Sequence, residues 1–159
     1  IIINDKEYID LGNYKVQVLK IPGHTPGSIA IIDSKNKLLF TGDEFGSGCG
    51  MWLQLNSCLP LSVFKKSAEK LLNYLKNNYD FAIDSWEVWG GHYGQETTGR
   101  LGYNPLNIKM IENYIVLADK LLKNEIDYEK TKEIVCCDEQ TYYACYKTAE
   151  LIFKKSLLK

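Results

Sequence analysis

Long apolar runs and an excess of charge of either sign are both absent from this 159-residue sequence. No stretch approaches the length of a membrane span, so no membrane partner is expected. Lys and Arg number 19 against 20 Asp and Glu, for a formal charge of −1, and this balance argues against a nucleic-acid partner. With 45% hydrophobic and 25% charged residues, the composition is that of a globular domain able to bury a core.

Paired cysteine motifs are missing as well. The five cysteines are an odd number, and none of them forms a C-x-x-C pair. This pattern excludes a zinc ribbon and argues against a disulfide framework. We therefore expect a reducing, cytoplasmic location in which the cysteines act as small buried apolar residues.

Histidine is scarce, since the chain has only His24 and His92. Each lies in a turn rich in glycine that follows an apolar strand, PGHTPGS at Pro22–Ser28 and GGH at Gly90–His92. A third apolar strand ends in FTGD, with Asp43 as its last residue. Imidazole and carboxylate groups ligate zinc, iron and manganese, and rigid turns hold such groups with little freedom. The sequence therefore predicts a metal site built from these three strand ends.

The order of predicted strands and helices indicates a layered α/β (α+β) domain with helices packed on a sheet. Two strand pairs come first, followed by a glycine-rich loop, a helix capped by Ser62, a strand, a helix started by Asn104–Pro105 and a closing strand. The predicted bounds are Glu7–Leu11, Tyr14–Ile21, Ser28–Ile32 and Lys37–Thr41 for the first strands, Gly46–Leu59 for the loop, Phe81–Trp89 for the next strand and Thr141–Phe153 for the last.

The segments around the three ligand candidates resemble the later motifs of the metallo-β-lactamase superfamily. The matching stretches are IPGHTPGS at Ile21–Ser28, LLFTGD at Leu38–Asp43 and GH at Gly91–His92, in the family's order and spacing. The resemblance covers the chain from Glu7 to Gly94 and implies the αββα sandwich fold.

The same resemblance implies metal-ligand roles for the three residues. His24 would ligate a first metal ion, His92 a second one, and Asp43 would bridge the two. Zinc is the metal implied first, with iron and manganese as alternatives. A bridged pair of this kind holds an attacking hydroxide, which implies a hydrolase.

One part of the family pattern is missing from the sequence. The first metal motif, H-x-H-x-D-H, needs three histidines, and both histidines of the chain already have other positions. The chain begins at Ile1 without an initiator methionine, so we expect the N-terminal half of the fold to lie outside it. Residues 1–159 are thus predicted to be a single partial domain, the C-terminal half of the sandwich. The missing half, from the same parent or a second chain, is the implied partner. Without it, the chain is expected to be inactive and to bind metal poorly.

The intervals between and after the motifs are too short for the large extra domains of some family branches. The small-molecule hydrolases remain, and the implied substrate is a small ester, thioester, lactone or amide. Tyr93 and Trp52 are candidates for the substrate pocket, with ordinary packing as the alternative for each. Glu44 follows Asp43, and strand alternation predicts that it points away into solvent.

Two other interpretations stay open at this point. One is a non-catalytic interaction module that completes a sheet with another chain. The other is an α/β domain whose histidines bind nothing. The apolar stripe Ile111–Leu122 predicts a core-facing helix, with a homodimer face as the alternative. An upstream segment carrying H-x-H-x-D-H would separate the enzyme from the module.

Overall fold

A computed structural model describes residues 2–46, 51–79, 82, 85–92, 96–97, 100–101, 105–131 and 139–159. The helices are α1 (Leu61–Asn78) and α2 (Lys109–Leu122), and a 3-10 turn spans Lys155–Leu157 near the end of the chain. The strands are β1 (Tyr8–Asp10), β2 (Lys15–Lys20), β3 (Ile29–Asp33), β4 (Leu38–Gly42), β5 (Met51–Leu53), β6 (Glu87–Gly90), β7 (Glu96–Thr97), β8 (Arg100–Leu101), β9 (Leu106–Asn107), β10 (Glu129–Lys130), β11 (Thr141–Tyr146) and β12 (Ala149–Lys154).

The larger sheet has the strand order β1-β2-β3-β4-β6-β9. Strands β1 to β4 pair antiparallel in sequence order, as expected for two hairpins of apolar strands. Strand β6 then joins β4 in parallel. Parallel neighbours end at the same edge of a sheet, so the residues that follow β4 and β6 are brought close together.

The smaller sheet has the order β10-β11-β12-β5. Strands β11 and β12 form an antiparallel hairpin, and β5 pairs in parallel with β12. Strands β7 and β8 pair with each other as a separate two-stranded ribbon.

Helix α1 buries one apolar stripe at helical spacing, from Leu61 through Phe64 to Leu75. Helix α2 packs against α1 and against β11 and β12. Phe64 and Tyr114, one from each helix, meet edge to face with ring centroids 5.8 Å apart. Phe45, just beyond β4, lies 5.7 Å from Phe64 and 5.9 Å from Tyr114 by the same measure. The turn after β4 is therefore anchored in the helical layer.

The main core fills the space between the larger sheet and the helices. Leu39 and Val88 face this core and are fully buried. Phe40 and Trp89, which alternate with them, face the other side of the sheet and are 40% and 37% exposed. The predicted layered α/β architecture is confirmed. Within the described ranges, neither helix has both the length and the apolar character needed to cross a membrane.

Four sequence predictions about the elements need correction. The predicted loop Gly46–Leu59 contains β5, and the single closing strand is the hairpin β11–β12. Ser62 does not cap α1, because the helix begins at Leu61 after Pro60 and has no side-chain cap hydrogen bond. Helix α2 begins at Lys109 rather than at Pro105.

Asn104, expected before α2, and Phe81, expected to begin a strand, lie outside the described residues. Strand β6 spans Glu87–Gly90, so the strand predicted from Phe81 to Trp89 begins later than expected, and Ala82, Ser85 and Trp86 are not part of it.

Candidate metal-ligand site

Asp43 and His92 meet at the shared edge of β4 and β6. The pairing of these strands places Phe40 beside Trp89 and Gly42 beside Gly90, with an irregularity in between. Gly42 has a positive φ of 52°, a conformation that glycine adopts without strain, and it turns the chain out of the sheet. As a result, Nε2 of His92 lies 3.0 Å from Oδ1 of Asp43. Two of the three predicted ligands are therefore in contact.

The backbone of Gly91 lies so close to this contact that a side chain would not fit there. Its N–H donates to the carbonyl of Gly42 at 2.9 Å. A Cβ at Gly91 would lie 2.0 Å from Oδ1 of Asp43 and 3.0 Å from the carbonyl carbon of Gly42. Real Cβ atoms do not approach other atoms this closely, so the observed contact between Asp43 and His92 requires glycine at position 91.

His24 lies in the turn after β2, which is held by main-chain and side-chain bonds. The N–H of Gly23 donates to the carbonyl of Thr25 at 3.2 Å, and the carbonyl of Gly23 accepts the N–H of Leu59 at 2.8 Å. Ser67, on α1, donates its hydroxyl to the carbonyl of Pro22 at 2.6 Å. The turn is thus fixed to the first helix and to the segment before it.

The imidazole of His24 is buried, with 8% of the residue exposed. Its Nδ1 lies 2.7 Å from the carbonyl oxygen of Trp52 on β5. A carbonyl oxygen only accepts, so Nδ1 carries the proton and Nε2 of the neutral ring is left with its lone pair. A carbonyl partner on one ring nitrogen is the usual arrangement that orients a metal-ligating histidine.

The sequence prediction that the side chain of Glu44 points into solvent is wrong, because the residue is buried. It is 1% exposed, and its Oε2 accepts the backbone N–H of His24 at 2.9 Å. Burial raises the pKa of Glu44 to about 8, so its neutral form dominates at pH 7. The alternation of side chains along β4 did not predict this burial, because the chain leaves the sheet at Gly42, before Glu44.

The two substrate-pocket candidates have different outcomes. Trp52 lies on β5 and is half-buried, and its carbonyl oxygen contacts the imidazole of His24. Its indole Nε1 is buried without a hydrogen-bond partner among the described residues. Tyr93 lies outside the described residues. A role in binding substrate stays a prediction for both.

The donors do not form a complete metal shell by themselves. Across the ranges that the structure covers, no group of three or more His, Cys, Asp or Glu side chains could hold a metal ion. The chemistry of the donors suits zinc, but Asp43 and His92 are only two ligands, whereas protein zinc sites use three or four. The described residues therefore supply only part of the ligand set of a zinc site.

Comparisons with known proteins bear on the fold that carries these residues. No protein-family model matches the chain. A hydroxyacylglutathione hydrolase of Prochlorococcus marinus strain MIT 9211 is 40% identical over 83 residues, which are 48% of this chain and 31% of that protein. Another protein of the same name, from strain NATL1A, is 30% identical over 128 residues, 76% of this chain and 46% of the relative.

Among solved structures, a metallo-β-lactamase family protein from Thermus thermophilus superimposes with a TM-score of 0.54. The sequences are 18% identical, and the match covers 77% of this chain and 36% of that protein. This likeness shows the α/β sandwich fold. The chain spans less than half the length of each of these two curated relatives.

Proposed function

The chain belongs to the metallo-β-lactamase superfamily, and from this premise we propose that it supplies part of the metal centre of a hydrolase. The observation that carries the proposal is the 3.0 Å contact between His92 and Asp43 at the ends of two parallel strands. The two side chains are half-exposed, so ligands and solvent reach them.

Each ligand candidate has a distinct role in this proposal. His24 would ligate a first cation through Nε2, His92 would ligate a second one, and the carboxylate of Asp43 would be shared between them. When bound, a pair of divalent cations, zinc first and iron or manganese as alternatives, would supply a water molecule of lowered pKa for attack on a carbonyl carbon at neutral pH. The chain's own part is to hold the three donors on turns fixed by neighbouring backbone.

A small thioester is the substrate class that the relatives favour among ester, thioester, lactone and amide. Both hydroxyacylglutathione hydrolases carry in their name a substrate whose acyl group is attached to the sulfur of glutathione. Because this chain aligns with less than half of each, the substrate is proposed rather than transferred as a known property.

The missing metal ligands come, in this proposal, from an N-terminal half carrying the H-x-H-x-D-H motif. The surface that would receive this half is the outer side of the larger sheet, where Phe40 and Trp89 are neighbours on β4 and β6. Both aromatic residues are more than one third exposed. Covering them with a second sheet would remove apolar area from water and stabilise the pair of halves.

The test compares the chelator-treated chain alone with the chain joined to an N-terminal half that bears H-x-H-x-D-H. Zinc content and hydrolysis of S-lactoylglutathione, phenyl acetate and a lactone are measured for both. We expect weak zinc binding and no hydrolysis by the chain alone, and thioester hydrolysis by the joined protein that His92→Ala abolishes. Tyr8→Ala, on the outer strand β1, is the control and keeps full activity.

Two results would contradict the proposal. Stoichiometric tight zinc in the chain alone would show that its own residues complete the site. Tight assembly of the two halves with zinc bound but without hydrolysis of any ester, thioester, lactone or amide would favour the non-catalytic module.

A further inference from the structure

Glu44 lies in the main core beside a predicted metal ligand, yet the mechanism gives it no contact with metal or substrate. It follows Asp43 in the chain, and its carboxylate oxygen Oε2 accepts the N–H of His24 at 2.9 Å. One side chain therefore links the turn that carries Asp43 to the turn that carries His24.

The space around this carboxyl group is shaped to admit it. A Cβ at Gly23 would lie 2.1 Å from Oε1 of Glu44 and 3.0 Å from the ring of Phe64. Oε1 itself is buried and makes no hydrogen bond of normal geometry with a described residue, although the side chain of Ser28 lies near the carboxyl group. Burying a carboxyl with one oxygen unsatisfied costs free energy, which a purely apolar side chain would avoid. Stability alone therefore does not account for a glutamate here.

We propose that Glu44 is a positioning residue for the metal-ligating turn, acting through the main chain of His24. This inference rests on the proposed function, in which His24 is a ligand. The N–H of His24 is held by Glu44, and its imidazole Nδ1–H is held by the carbonyl of Trp52 at 2.7 Å. These two restraints together leave the ring one orientation, with Nε2 available to a metal ion.

Loss of the Glu44 bond removes one of the two restraints on His24. The backbone of the turn keeps its bonds between Gly23 and Thr25 and between Leu59 and Gly23, so the turn stays in place. The amide of His24 becomes exchangeable and the ring samples more than one rotamer. Loss of an outer-shell partner of a metal-ligating histidine weakens metal binding by about 10–100-fold.

Two variants of similar size distinguish the effect of the hydrogen bond from the effects of side-chain volume and charge. Glu44→Gln keeps a carbonyl oxygen that accepts the N–H of His24, whereas Glu44→Met fills the space without accepting. The ¹⁵N-labelled full chain is titrated with Zn²⁺, and the His24 imidazole signals report the affinity. Hydrogen exchange of the His24 amide and its χ1 couplings are measured without metal. Amides of β11 and β12 report whether the fold persists.

The proposal expects Glu44→Gln to behave as the parent chain. In Glu44→Met, the His24 amide exchanges faster, its rotamers average, and Zn²⁺ affinity at His24 falls by about 10–100-fold while β11 and β12 keep their protection. Unchanged exchange, rotamers and affinity in Glu44→Met would overturn it, and so would equal losses in Glu44→Gln.

The metal-free measurements keep this inference separable from the proposed function. If Zn²⁺ leaves the His24 and His92 signals of the parent chain unmoved even at millimolar concentration, the ligand roles fail. The metal-free exchange and rotamer data still decide whether Glu44 fixes the His24 turn.

Discussion

Nε2 of His92 and Oδ1 of Asp43 lie 3.0 Å apart, although β5, α1 and β6 all come between the two residues in sequence. The side chains are 47% and 48% exposed. Exposed pairs of this kind contribute only about 0–1 kcal/mol to stability. The contact therefore adds little to the stability of the fold. It results from the pairing of β4 and β6, which places two possible metal ligands side by side.

Gly91→Ala is expected to break this contact. The new Cβ would meet Oδ1 of Asp43 and the backbone of Gly42, so the carboxylate and the following turn must shift. We expect Zn²⁺ affinity at His92 to fall by about 10–100-fold and the free energy of unfolding to fall by about 1–3 kcal/mol. Zinc titration followed at the His92 imidazole and urea unfolding measure the two effects.

Gly27→Ala is the matched control for this substitution. Gly27 lies in the His24 turn and a Cβ there would meet nothing within 4 Å. Its zinc affinity and stability should stay close to those of the parent chain. Equal effects of the two substitutions would show that glycine flexibility, rather than the space beside Asp43, is what matters.

Phe40→Ser and Trp89→Ser are expected to weaken assembly with the N-terminal half without unfolding the chain. The two residues are neighbours on β4 and β6 and are already 40% and 37% exposed, so the core loses little. Aromatic residues at the centre of an interface often dominate binding, and a loss on the order of tenfold to a hundredfold is expected for each. Isothermal titration of one half with the other gives the affinity.

Leu11→Ser is the control for these aromatic substitutions, because Leu11 is 51% exposed but follows β1 at the far end of the sheet. Its assembly affinity should equal that of the parent. If Phe40→Ser and Trp89→Ser assemble as well as Leu11→Ser, the outer side of the sheet is not the contact surface.

Local sequence patterns were enough to predict the hairpins and the ends of β4 and β6. Alternation and turn residues act within a few positions, and the structure confirms the strands from Tyr8 to Gly42. The motifs predicted that Asp43 and His92 would share a metal site, whereas their direct contact depends on the parallel pairing of β4 and β6. Whether these residues ligate metal stays a prediction.

What sequence patterns missed depends on distant partners. Strand β5 has three residues and is defined by pairing with β12, far along the chain, so nothing local marks it. Glu44 is buried because the chain turns at Gly42, not because of any periodicity. At the start of α2 the local signal was Asn107, whose Oδ1 accepts the N–H of Lys109 at 2.7 Å.

The contact between α1 and α2 should weaken in acid through Asp119. Hydrogen bonds from Lys123 and Lys65 lower the pKa of Asp119 to about 2, from an ordinary value of 3.8. Its Oδ1 lies 2.6 Å from Nζ of Lys65 on α1. A lowered carboxyl pKa contributes stability that is present above the ordinary value, near pH 4, and is lost as the pH falls towards about 2.

Urea unfolding at a series of pH values from about 6 down to about 2 tests this dependence. Asp119→Asn should lose less stability than the parent chain over the acidic part of this range, because it has no carboxylate to protonate there. Parallel curves for the parent and Asp119→Asn would contradict the assigned role.

The two histidines are expected to adopt opposite tautomers in the metal-free chain. The carbonyl of Trp52 requires the proton of His24 on Nδ1, whereas the carboxylate of Asp43 requires the proton of His92 on Nε2. Long-range ¹H–¹⁵N correlation spectra at alkaline pH, where imidazole is neutral, distinguish the two ring nitrogens directly. Asp43→Ala should remove the hydrogen bond that holds the proton on Nε2 of His92 and should leave the tautomer of His24 unchanged. A proton on Nε2 of His24 would contradict the prediction, because the carbonyl of Trp52 would then face a ring nitrogen that has no hydrogen to donate.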